Sequence, residues 1–461
     1  MRRPLALVVC VCLPLLGCNR AGEPPGGAEA RAVAPPSKEL GAPSAGAPAD
    51  SLQFTLANGL RVRLVPAHDE PKVVVLLGVR AGFFDEPAGV PHVAHVTEHL
   101  VVFGARPGSE EQKAVARWYA AGQANAETLA DFMYFDLHVP PEELDLALRV
   151  QAGRLAGAQL SRETLGQEIP RTLAEIDFLE RSEVGGTGKF AFCPFVQAAF
   201  HGATDARLKA RTRAMTREQV QTLYERTFRA DRASLYIIGD LKPAEARKAV
   251  EAAFRAVPKQ STTALEARAR PKSGTRTVRW DATTRHLVLG WPAPASSDPD
   301  HRALTLASFV LMQRLYMDTE IAPLAKMPFV SNEVEGFFLV NVQAKPSADI
   351  DALKDLLLKK VTRLASPEGL GDADLAQARL VFAQLTQPVN LDAVPLPPNV
   401  SKMMARANIE LQKMMREAVW GDLPGYAKRV AALDAAGVRA ALRRHLGAEG
   451  AVIVRIEPAG E

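Results

Sequence analysis

The residues from His95 to His99 read His-Val-Thr-Glu-His, an H-x-x-E-H cluster. The flanking stretch, GVPHVAHVTEHLVVFGA, shows little strand alternation and predicts a helix with Pro91 in its first turn. On a helix, positions i and i+4 lie about 40° apart on one face. His95 and His99 can therefore present two imidazoles to one metal ion, and neutral imidazole suits zinc. Glu98 lies on the same side, where it can act as a base toward a water without being a ligand. The bland alternative is a chance cluster on a polar helix face.

Around this cluster the chain alternates between strand and helix signals. LQFTLANGLRVRLVP, from Leu52, predicts a hairpin about Asn58-Gly59, with both turn residues at positive φ. Pro71 to Val79 predicts a buried central strand. Residues 110–122 predict a helix, and Asn125–Thr128 and Met133–Val139 predict strands. Two helices follow, residues 141–157 and a longer one through Glu175. Ala233–Asp240 predicts a strand, and Ala244–Val257 a helix that closes this half. A weak echo then begins. Arg285–Trp291 matches the central strand, His301–Tyr316 the motif helix, Phe337–Val342 the later strand and Ala451–Ile456 the strand at Leu235. Two related α+β domains of about 200 residues are expected, each a mostly antiparallel sheet packed with helices on one face. The predicted boundaries are 51–258 and 275–461, joined by a linker over 259–274. Only the first domain carries H-x-x-E-H.

The start of the chain predicts a different environment. Residues 1–18, MRRPLALVVCVCLPLLGC, combine two arginines with an apolar run too short to span a membrane. The run ends in Leu-Gly-Cys18, which resembles a bacterial lipoprotein signal, with Cys18 lipidated. An ordinary signal peptide cleaved nearby is the alternative. Residues 19–50, rich in Ala, Pro and Gly, predict a disordered tether. Asn19 points toward the outer membrane. Of four cysteines, Cys10 and Cys12 lie in the signal, so Cys193 is left without an intramolecular partner and is expected as a small buried residue. A net charge of +4 in 461 residues gives no reason to expect nucleic acid as a partner.

Two histidines do not complete a catalytic metal site, which commonly takes three protein ligands and leaves a place for water. The third is best sought in Glu168–Asp177, where Glu168 and Glu175 lie seven apart and can share a helix face. Pro170 between them predicts that the helix starts or kinks there and turns Glu168 away. H-x-x-E-H is also the inverse of the H-E-x-x-H zinc peptidase helix. With Glu175 following 76 residues after His99, the chain resembles the insulinase/pitrilysin metallopeptidases, which include the mitochondrial processing peptidase. Supporting patterns are Asp85-Glu86-Pro87, Asn125-Ala126-x-Thr128, the paired glutamates and Gly239-Asp240. The resemblance implies Zn2+ held by His95, His99 and Glu175, with Glu98 as general base. It also implies Glu168 as an acidic residue supporting the site, and Asn125 and Ala126 on an edge segment that pairs with substrate backbone.

Departures from the family pattern carry expectations too. His92 stands where the family usually has Gly and is expected at the surface. The family's Arg…Tyr pair in the second half has no match in MDTEIAPLAKMPFV, after Tyr316. Val184–Lys189 lacks the P-loop spacing and is expected as a flexible loop near the cleft. Family members close a chamber from four such domains, so the two present here imply a homodimer or a heterodimer with a related inactive subunit. The expected activity is zinc-dependent cleavage of unfolded peptides or small proteins in the bacterial envelope. The alternative is a lipid-anchored binding or scaffold subunit that hydrolyses nothing.

Overall fold

The computed structural model describes residues 38–39, 51–181, 191–204, 208–259, 270–280, 285–317, 325–326, 329–331, 335–344, 348–386, 391, 396–397 and 400–459. The signal, Cys18, most of the tether, Val184–Lys189 and most of the segment after Tyr316 lie outside these residues.

The first half runs β1 (Lys38–Glu39), β2 (Leu52–Thr55), β3 (Arg61–Pro66), β4 (Val73–Val79), α1 (Val93–Val102), α2 (Glu110–Ala120), β5 (Ala124–Thr128), β6 (Met133–Val139), α3 (Leu144–Leu155), α4 (Arg162–Arg181), α5 (Phe192–Ala199), α6 (Leu208–Arg213), α7 (Arg217–Thr227), β7 (Ala233–Gly239) and α8 (Pro243–Ala253). The second runs β8 (Gly274–Trp280), β9 (Arg285–Ala293), α9 (Pro299–Met317), β10 (Ala325–Lys326), β11 (Phe329–Ser331), β12 (Gly336–Ala344), α10 (Ile350–Arg363), α11 (Asp372–Thr386), α12 (Lys402–Trp420), α13 (Leu423–Ala431), α14 (Ala435–His445) and β13 (Val452–Pro458).

The two sheets repeat one connectivity. In the first, the strand order is β1-β2-β3-β7-β4-β6-β5, with β3 and β7 parallel and the pairs β7·β4, β4·β6 and β6·β5 antiparallel. In the second, β10-β12-β9-β13-β8 has β8 and β13 parallel and the pairs β13·β9, β9·β12 and β12·β10 antiparallel. The echo between Arg285–Trp291 and the first central strand is thus a repeat of position. The first hairpin differs in detail. Gly59 takes φ +99 while Asn58 does not go positive, because Asn58 is turned to donate to the Val257 carbonyl and accept from Leu60 N–H.

Both central strands are buried on two faces, and period-2 alternation decides which neighbour each residue meets. Val73, Val75, Leu77 and Val79 of β4 join the main core under the first-half helices. Val74 and Leu76 face the other way, onto Met403, Ala407, Leu411 and Met414 of α12, a helix from the second half. The exchange is mutual. Phe192, Phe195 and Val196 of α5, from the first half, pack with Val288, Phe337, Val452 and Val454 on one face of the second sheet. The opposite face of that sheet packs on its own helices through Leu287, Leu289, Phe338 and Val340. Each crossing helix meets a glycine in the central strand. A Cβ on Gly78 would lie 2.5 Å from Met414 Sδ, and one on Gly290 would lie 2.9 Å from Phe195 Cζ.

The α12 contact also carries buried charge. Arg63 donates to Glu417 at 2.9 Å and lies 3.5 Å from Glu410, which accepts from Lys413 at 2.6 Å. Tyr236 donates to Glu417 as well. Breaking one side of such a network leaves a charge buried without compensation. Arg63→Met is expected to destabilise the protein by about 3–5 kcal/mol. A urea titration of the variant against the parent protein measures the difference.

Candidate metal centre

Helix α1 is buried almost all round. Val93, Val96, Leu100 and Val101 enter the core, and even His95 and Glu98 are buried, at 1% and 6% exposure. Pro91 lies one residue before the N-cap, not in the first turn, and the N-cap is His92. His92 corrects the expectation of a surface residue: it is fully buried and its ring stacks on Trp280 of the second half, with centroids 6.1 Å apart. Its φ of +60 is the left-handed conformation that favours glycine. Burial pushes the His92 imidazole down to about 3, which keeps it neutral. The chain enters the helix through Phe83–Asp85, whose backbone N–H groups at Phe83 and Phe84 bond the carbonyls of Leu129 and Ala130.

Helix α4 runs unbroken from Arg162 to Arg181 with Pro170 inside it. Pro170 does not turn Glu168 away, contrary to expectation. Pro170 and Gly166 are both exposed, so the carbonyl that loses its helix partner lies on the solvent side. The inner face buries Leu165, Ile169, Leu173 and Ile176 and carries Glu168 and Glu175 toward α1.

The three residues from two distant segments meet. His95 Nε2 lies 3.6 Å from Glu175 Oε1, and His99 Nε2 lies 3.3 Å from Glu175 Oε2. Donor atoms of His95, His99 and Glu175 all fall within 4.8 Å of one another. A tetrahedral ion with bonds of about 2.1 Å separates its donors by about 3.4 Å, so the spacing fits zinc. The other ring nitrogen of His99 is 3.1 Å from Glu168 Oε2, and Glu168 Oε1 accepts from Arg171 at 2.5 Å. A carboxylate on the far nitrogen fixes the ring and leaves Nε2 free to ligate. Glu98 accepts from the Thr128 hydroxyl at 2.7 Å through Oε2. The sequence marks Thr128 only as the end of Asn125-Ala126-x-Thr128 and carries no sign of a role for Arg171.

Asn125 and Ala126 lie on β5, at the end of the first sheet. Among the described residues β5 has one strand neighbour, β6, so its other edge is open to a further strand. Cys193 is buried in α5, as expected. No helix among the described residues is long and apolar enough to cross a membrane.

The charges of the cluster are coupled. Burial works against a charge on His99, but hydrogen bonds to Glu168 and Glu175 push its pKa up to about 10. Burial likewise opposes ionisation of Glu175, yet the charges and hydrogen bonds of His95 and His99 hold it well below the usual carboxylate range. His99 above its ordinary 6.5 means that the metal-free site holds a proton at neutral pH.

Comparisons with known proteins place this geometry in context. Residues 214–381 match the family model described as the peptidase M16 inactive domain, a stretch that excludes α1 and α4. The chain is 36% identical to coenzyme PQQ synthesis protein F of Pseudomonas putida over 118 residues. That match covers 25% of this chain and only 15% of the relative's length. A protease from Helicobacter pylori has the same fold, with a TM-score of 0.62 and 17% identity over 88% of this chain and 99% of that one. The first half of the periplasmic protease PqqL from Escherichia coli is similar at a TM-score of 0.56 and 14% identity, covering 90% of this chain and 94% of that structure. The same comparison spans 48% of whole PqqL. The fold is therefore that of M16-like peptidases.

Two outcomes follow for the cluster. Glu168→Ala should weaken zinc binding about 10- to 100-fold while the fold persists, as measured by competition with a metal-sensitive dye. Zinc binding near pH 7 should release a proton from His99, because a ligating Nε2 must be unprotonated while the metal-free ring carries charge up to about 10. Calorimetry in buffers of differing ionisation enthalpy counts that proton, and the release should fade as pH rises toward 10.

Proposed function

We propose that this chain is an M16-type zinc endopeptidase that cleaves unfolded peptides or small proteins in the bacterial envelope. The observation that carries the reading is the meeting of His95, His99 and Glu175, with donor atoms within 4.8 Å of one another, beside a buried Glu98. Zinc, when bound, supplies a Lewis acid for the scissile carbonyl and lowers the pKa of a water toward 7. Glu98 then takes the proton of the attacking water and passes it to the leaving amine. Thr128 occupies Oε2, which leaves Oε1 for that transfer. Glu168 holds the His99 ring, and Arg171 offsets the Glu168 charge. The open edge of β5 pairs with an extended substrate backbone through Asn125 and Ala126, a mode that favours unfolded chains over particular sequences.

The chain supplies half of a chamber. Its match to the first half of PqqL, about half of that protein, supports assembly with a second copy or with a related inactive subunit. The lipoprotein-like start supports anchoring through Cys18 at the periplasmic face of the outer membrane, with residues 19–50 as a tether. A second reading, a non-catalytic subunit that retains the fold, draws on the inactive-domain description of residues 214–381.

One variant separates the two. Glu98→Gln should retain one zinc per chain by elemental analysis and lose about 10²- to 10⁴-fold in turnover of a quenched fluorogenic peptide. Unchanged turnover would remove Glu98 as base. Zinc-loaded parent protein with no turnover, alone or with its partner, would favour the non-catalytic subunit.

A further inference from the structure

The strand offered to substrate and the candidate base are joined by a single side chain. Thr128 is the last residue of β5, two positions beyond Ala126, and is fully buried. Its hydroxyl donates to Glu98 Oε2 at 2.7 Å. The hydroxyl is mounted rigidly. Thr128 pairs with Met133 across β5 and β6, and the turn after it is closed by Leu129 N–H on the Phe132 carbonyl at 2.8 Å. The carbonyls of Leu129 and Ala130 in turn accept from the backbone at Phe83 and Phe84, in the segment that leads into α1. Gly82 permits this approach, since a Cβ there would lie 2.4 Å from the Leu129 oxygen. The end of the edge strand and the entry to the metal-site helix are thus one stapled unit, with Thr128 facing the base from it.

From this geometry we propose that Thr128 is a positioning residue that sets the register between bound substrate and the base. A peptide paired along β5 is fixed relative to Ala126. Thr128 is fixed to the same strand, and its hydroxyl selects which carboxylate oxygen of Glu98 faces the scissile bond. A hydroxyl merely satisfying a buried carboxylate would matter for folding; one that aims the base matters for the chemical step. This inference rests on the peptidase reading of the same site.

The test compares Thr128→Val, which keeps the shape and loses the donor, with Thr128→Ser, which keeps the donor. In the zinc-loaded protein, with its partner if one is required, Thr128→Val should lower kcat on a quenched fluorogenic peptide about 10- to 100-fold, the range for a lost hydrogen bond to an ionised group. KM and zinc stoichiometry should stay near the parent values, and Thr128→Ser should recover most of kcat. A phosphinic peptide of the same sequence, whose tight binding needs an aimed Glu98, should lose affinity in parallel with kcat. Parental kcat in Thr128→Val, or no recovery in Thr128→Ser when both bind zinc, overturns the inference. If Thr128→Val fails to fold, Thr128→Ser and Thr128→Ala decide it by the same split. Where Glu98→Gln is inactive but Thr128→Val is not impaired, this inference falls alone. Where Glu98→Gln is as active as the parent, the peptidase reading falls with it.

Discussion

Two imidazoles and a carboxyl group on a helix buried nearly all round make up the interaction on which the rest of this structure depends. Polar groups there cost free energy unless each is paired. Helix α4 offsets that cost from a segment about 70 residues away, by bringing Glu175 to both Nε2 atoms and Glu168 to the far side of His99. Thr128 does the same for Glu98. Hydrogen bonds to Glu168 and Glu175 favour a proton on the His99 ring, so part of the negative charge of the two carboxylates is offset within the cluster.

The two halves are interlocked. Each sheet lends one face to its own helices and one to a helix from the other half, α12 on the first and α5 on the second. Glycines at 78 and 290 let those helices approach the central strands closely. The charged network of Arg63, Glu410, Lys413 and Glu417 crosses the same contact, where hydrophobic packing of the same volume is often as stabilising as a buried ion pair. The stacking of His92 on Trp280 ties the N-cap of the metal-site helix to the second half. The second half therefore shapes the site although it supplies none of the three donor residues.

In the peptidase reading proposed above, the chemistry is local and the selection of substrate is not: Glu98, His95, His99 and Glu175 would act on the bond, and the free edge of β5 would present the backbone that carries it. An edge strand reads backbone, not side chains, so extended segments are favoured whatever their sequence. The fold shared with M16-like peptidases, matched at 17% identity by the Helicobacter pylori protease, shows how little side-chain identity that architecture needs.

Much of this was legible in the residues themselves. Helix and strand periods located most of the elements, the repeat of strand positions showed in Arg285–Trp291 and Ala451–Ile456, and H-x-x-E-H named a face because i and i+4 on a helix are neighbours wherever the helix goes. Those inferences hold because they depend on local geometry. What the residues could not show involves segments that meet only after folding. Pro170 reads as a break until its solvent-facing position is known, because a carbonyl on that side is open to hydration. His92 reads as surface until Trp280 arrives from 188 residues downstream to cover it. The crossing of α5 and α12 between halves, and the reach of Thr128 to Glu98, leave no periodic trace either. The local sequence settled which side chains share a helix face; only tertiary packing settled what lies opposite that face, because burial and distance are properties of pairs that the chain order keeps apart.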